Sequence, residues 1–149
     1  VTDADNTELP ALTRSAENGF ARGFGIALPG GKGLLAKVDD IRTLAALTPT
    51  EGSALLKSLD VTVLHELIFT EVFGIRGLDR IEYTRDADEA VARVAASTDT
   101  AAVITNPPSV DDMKRIAEGG EKMPQKSTFY YPKLLSGLVF WSMSDLEPA

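Results

Sequence analysis

His65 and Glu66 are adjacent, and His65 is the one histidine in the chain. An imidazole titrates near neutral pH, and a carboxylate beside it makes the pair a candidate for general acid or base work. A zinc hydrolase of the H-E-x-x-H type needs a second histidine four residues on, where Phe69 stands instead. Glu71 follows roughly half a helical turn beyond Phe69, so a lone His–Glu site is the chemical reading. The opposing reading is a histidine bonded to a neighbouring backbone group or carboxylate, with no chemistry attached.

Anion chemistry points to a second segment, Gly120-Glu121-Lys122-Met123-Pro124-Gln125-Lys126-Ser127. It has the spacing of a phosphate loop except that Gln125 takes the place of the second glycine. It also follows a helix instead of leading into one, so the phosphate-loop reading fails. What survives is a short stretch holding Lys122, Gln125, Lys126, Ser127 and Thr128, with Lys133 further on. Ammonium, amide and hydroxyl donors are what a phosphate or carboxylate wants; the plain alternative is a solvated basic loop. Asn106, in Asn106-Pro107-Pro108, follows a short apolar strand and precedes a helix. Ligands gather at the carboxyl ends of such strands, although the same residues are also ordinary turn chemistry. Gly30-Gly31-Lys32-Gly33 lies between two alternating runs and reads as a hairpin turn, because a strand and not a helix follows it.

These residues need elements to hold them. Phe24, Ile26 and Leu28 alternate, as do Leu34, Ala36 and Val38, which predicts a β-hairpin over Gly23–Val38. Short helices are expected around Ile41–Leu47 and Glu51–Lys57. Asp60 is placed to cap a helix over Val61–Phe73, with Leu64, Leu67 and Ile68 inward and Gly74 as its stop. A short strand at Ile81–Tyr83 follows. Helices are expected at Ala87–Ala96, begun by Asp86 and Glu89, and at Val110–Glu118, capped by Ser109, with a buried strand at Ala101–Thr105 between them. Val91, Val94, Val103, Ile104, Met113 and Ile116 complete the expected core. Ser127–Tyr131 and Leu135–Trp141 read as two closing strands, whose aromatics Phe129, Tyr130, Tyr131, Phe140 and Trp141 are core candidates. The alternation predicts an α/β domain, with α+β as the alternative: a mixed β-sheet covered by helices, with an N-terminal β-hairpin. Residues 1–22 read as a polar lead-in and 23–149 as one domain.

Bulk composition narrows the classes. The chain has 149 residues, 44% hydrophobic and 25% charged, which is globular composition. Its net charge of −7 and lack of a basic arm count against nucleic-acid binding. There is no cysteine, which removes disulfides and thiolate sites. No apolar run is long enough for a membrane helix and no signal peptide is visible, so a cytoplasmic protein is expected.

Three stretches carry a resemblance: Leu59–Leu67, Tyr83–Ala90 and Met123–Leu134. Together they resemble the C-terminal part of a bacterial and archaeal family known as domain of unknown function ten-fifteen, some of whose members are described as ParB-like. The similarity runs from about Gly23 to Phe140, and Met123-Pro124-Gln125-Lys126-Ser127-Thr128 is its family-typical segment. Longer members carry an N-terminal D-G-H-H-R-Y-E-type motif that this sequence lacks. The resemblance implies the C-terminal part of a longer protein and brings no established activity or cofactor. The reading of the residues is an accessory domain that binds an anionic small molecule, such as a nucleotide or phosphorylated metabolite, through Lys126-Ser127-Thr128. On this reading the N-terminal part of its own full-length protein completes the site. Two alternatives stand beside it: a phosphoryl-transfer or hydrolytic enzyme using His65 or Glu66, and a protein-interaction module of a ParB-like regulator.

Overall fold

The computed structural model describes residues 1–14, 19, 21–77, 79–129 and 131–132. The strand expected over Leu135–Trp141, together with Tyr130 and Lys133, lies outside the described residues.

The hairpin forms where alternation and glycine place it. Strands β2 (Arg22–Ala27) and β3 (Lys32–Val38) pair antiparallel, with Phe24 opposite Ala36 and Ala27 opposite Gly33. The connection, Pro29–Gly31, needs φ of 78° at both Gly30 and Gly31, a region that side chains disfavour. Strand β1 (Thr2–Asp5) adds to the free edge of β3, and β4 (Ala102–Ile104) adds to β2. The sheet order is β1-β3-β2-β4, and each of these pairings is antiparallel.

The two faces of β2 and β3 build two cores, because successive side chains point to opposite sides. Ala27 and Leu35 meet Leu9 of α1 (Leu9–Leu12) and Val91 and Val94 of a later helix on one face. On the other face Phe24 meets Leu44 and Val63, with Ala36, Val38 and Val103 beside them. Leu44 belongs to α2 (Ile41–Leu47), which Asp40 caps by accepting from the Arg42 N–H. A short helix α3 (Ala54–Lys57) follows, capped by Ser53. Helices α5 (Ala87–Ala95) and α6 (Val110–Glu118) start at their expected caps, Asp86 and Ser109. The α/β architecture with its N-terminal hairpin is therefore the one the pattern implied, but among the described residues the sheet is wholly antiparallel and not mixed, because β4 joins the edge of β2 running against it.

Several expectations are corrected. The first residues are not a lead-in: β1 is paired, and Leu9 is 0% exposed. An added Cβ at Gly33 would come within 2.7 Å of Leu9 Cδ1, and one at Gly25 would strike Thr13 Oγ1. The absence of side chains at these two strand positions is what lets α1 lie on the hairpin. The Asp60 helix is not α-helical throughout. After α4 (Asp60–Thr62) it widens into a π-helix over Val63–Val72, visible in the Phe73 N–H donating to Ile68 O. A 3.6-residue period turns Leu64, Leu67 and Ile68 fully inward; on the wider turn they pack against the Phe24 cluster only partly buried. Val103, Ile104 and Met113 are also half-buried, while Ile116 is buried as expected. Asp60 does not cap its helix, whose N-cap is Leu59 with no side-chain bond. Finally, Ile81–Tyr83 and Ser127–Phe129 are outside the sheet: the first carries Glu82, which pairs with Arg93, and the second follows a tight turn.

Candidate functional site

The π-helix and the segment after α6 face each other across a cleft of about 440 Å³, within the size range of small-molecule sites. Its walls are Thr50 and Leu56, then Val61, Thr62, His65 and Glu66, then Tyr83, and opposite them Lys122, Pro124 and Gln125. His65–Glu66 and the Lys122–Thr128 loop are separate candidates in the sequence; folding brings the first pair and the first half of the loop into one lining.

A specific contact holds the loop there. Glu121 accepts from the Ser53 N–H at 2.6 Å and from Ser53 Oγ at 2.5 Å. The carboxylate thus sits at the start of α3, where free N–H groups favour a negative charge. These two bonds hold its carboxyl below the usual glutamate range. Gly52 makes the approach possible, since a Cβ there would lie 2.9 Å from Glu121 Oε1 and 2.7 Å from Leu56 Cδ2. Lys122 follows directly and is carried to the rim of the cleft.

His65 forms the opposite wall. Its ring stacks on Tyr83 at 6.0 Å between centroids and meets Phe69 edge-on at 5.5 Å. Its Nε2 lies 3.3 Å from the Tyr83 hydroxyl. Burial pushes the imidazole below its ordinary pKa, with Glu66 opposing, and pushes the Tyr83 phenol up. A lowered pKa favours the neutral imidazole at neutral pH, whose Nε2 accepts from the Tyr83 hydroxyl in one tautomer and donates to it in the other. Thr70 Oγ1 donates to the His65 carbonyl, five residues back, as the wide turn allows. Thr62, 6% exposed, lines the same wall, and its Oγ1 is buried without a hydrogen-bond partner among the described residues.

The remaining candidates sit elsewhere. Ser127 Oγ donates to the Pro124 carbonyl at 2.7 Å, so its single O–H closes a turn and is not offered to a ligand. Lys126 occupies that turn with φ of 60°, and Lys126, Ser127 and Thr128 are not part of the cleft lining. Asn106 is engaged inside the fold. Its Nδ2 donates to Asp60 Oδ2 at 3.1 Å and to the Gly23 carbonyl at 3.3 Å, and its N–H donates to Asp60 Oδ2 at 3.1 Å. Arg22 Nε completes the cluster, 2.8 Å from Asp60 Oδ1 and 3.0 Å from the Ser58 carbonyl. Burial raises the Asp60 carboxyl, while Asn106 and Arg22 pull it down. A smaller hollow of about 250 Å³ lies beside this cluster, bounded by Pro107, Ser109 and Asp112.

Tyr83, Thr50, Thr62 and Glu121 were missed as functional candidates. Tyr83 stood out only as an aromatic among charged neighbours, and the others carry no local signal. No family model, no curated protein and no solved structure matches the chain. Among the described residues no helix is long and apolar enough to cross a membrane.

Proposed function

We propose that this chain is a ligand-binding accessory domain whose cleft takes a small molecule bearing an anionic group. The observation that carries this reading is the shared lining of Lys122, Gln125, His65 and Tyr83. Lys122 supplies the charge, the Gln125 amide a directed donor, and the two rings a wall for the body of the ligand. This moves the anchoring role from the Lys126-Ser127-Thr128 turn to Lys122 and Gln125. The resemblance to family ten-fifteen supports a longer protein whose N-terminal part completes the site.

The test is an NMR titration of the isotopically labelled chain with phosphate, sulfate and nucleotides. Resonances of Lys122–Gln125, His65 and Tyr83 should move together with a millimolar to micromolar midpoint. Lys122→Met keeps the apolar stem and removes the charge, so the fold should survive and binding should fall about tenfold or more. Silence of these resonances at about 50 mM ligand, above any such Kd, would overturn the reading.

A hydrolytic or phosphoryl-transfer reading is favoured by one contact, His65 Nε2 to the Tyr83 hydroxyl. It pairs the imidazole with a phenol in the cleft that Lys122 also lines, a combination suited to a proton acceptor working across from a charge stabiliser. Turnover of a phosphate ester that is lost in His65→Gln, with binding intact, would select it.

A further inference from the structure

The cleft that takes the anion also contains Glu66, and this shapes what the anion must be. Glu66 and Lys122 line the same space, and neither forms a salt bridge among the described residues. A purely anionic ligand gains from Lys122 and is repelled by Glu66. A purely cationic one meets the reverse. Everything else polar in the lining is neutral at neutral pH: the Gln125 amide, the hydroxyls of Thr50, Thr62 and Tyr83, and His65, which burial holds uncharged. The charge pattern of the walls is therefore one positive and one negative group.

A second observation lies in the same wall. The Thr62 hydroxyl is buried and has no partner among the described residues. Buried hydroxyls are nearly always hydrogen-bonded, and the exceptions call for an explanation such as a further group at the site. Thr62 is one helical turn from Glu66, so the wall that lacks a hydrogen bond is also the one that carries the negative charge.

We infer that the ligand is dipolar, a small molecule carrying a protonated amine for Glu66 as well as an anionic group for Lys122; this rests on the anion-binding reading above. The size of the cleft suits a metabolite of this kind, since about 440 Å³ is near the small end of ligand sites.

Two probes differing only in the amine test this, ethyl phosphate and 2-aminoethyl phosphate, titrated into the full chain at neutral pH with NMR detection. The amine-bearing probe should bind about fivefold tighter, the gain expected of one half-buried charge pair. Glu66→Gln keeps the shape of the side chain and should bring the two affinities together. Equal affinities in the unaltered chain, or a preference that survives Glu66→Gln, would overturn the dipolar ligand and leave the anion cleft standing. If neither probe moves a cleft resonance, both readings fall together.

Discussion

Glu121 shows how a single carboxylate can set a site without entering it. Its two bonds to Ser53 lower its pKa, so in the folded chain it holds its charge to lower pH than in the unfolded one. The sign follows: the contribution is fully present above the ordinary glutamate value, about 4.3, and is lost as pH falls through the lower folded value. The Ser53 amide resonance should therefore titrate with a midpoint below about 4.3, and Glu121→Gln should abolish that inflection and weaken anion binding. A midpoint at or above the ordinary value would mean that the clamp does not form in solution. His65 runs the other way in its consequence for ligands. Burial keeps it neutral near pH 7, so Lys122 supplies the cationic charge of the cleft until the medium turns acidic.

Asp60 acts between elements. It sits at the start of α4 and is 7% exposed, yet its oxygens reach Arg22 at the start of β2 and Asn106 just beyond β4. One carboxylate thereby ties the helix that carries His65 to two strands of the sheet. Asp60→Ala would strand a guanidinium and an amide that are mostly buried, and breaking such a pair costs about 3–5 kcal/mol. Urea unfolding should show a loss of that order, and a loss below about 1 kcal/mol would show that water replaces the carboxylate at little cost. The π-helix is the other feature at this level. Its wide turn leaves Leu64, Leu67 and Ile68 at the margin of the Phe24 core and directs His65 and Glu66 to the cleft, in keeping with the frequent occurrence of π-turns at functional sites.

The fold depends on its first residues as much as on its hairpin. Leu9 is fully buried against Ala27, Leu35, Val91 and Val94, and Asn6 binds across to Leu28, with Nδ2 donating to its carbonyl at 2.8 Å. Leu9→Ala should cost about 2–5 kcal/mol, measured by chemical unfolding. A change below about 0.5 kcal/mol would mean that residues 1–14 lie off the sheet. With β1 covering the outer edge of β3, helices lie on both faces of the sheet, and the cleft opens on the face that holds Phe24.

Local chemistry is enough to place the hairpin, α5 and α6. Strict alternation fixes which side chains of β2 and β3 share a face, and Asp86, Ser109 and the Gly30-Gly31 pair have no better use than a cap or a turn. The candidate residues were legible as types: one histidine beside a carboxylate, and lysines gathered on an acidic chain. Their partners were not. Glu121 and Ser53 are far apart in the chain, as are Asp60 and Asn106, and no period or motif encodes a contact at such separation. Leu9 sits in a polar stretch without a repeating pattern, and its burial follows only from the two bare glycine positions on the strands beneath it. The π-turn likewise obeys packing and not propensity, since Val63–Val72 reads as an ordinary helix. Types and periods are properties of neighbouring residues, and the sequence holds them complete. Which lysine shares a cleft with His65 is set by how the layers close, and tertiary contact brought Lys122 to the cleft while turning Ser127 to its own backbone.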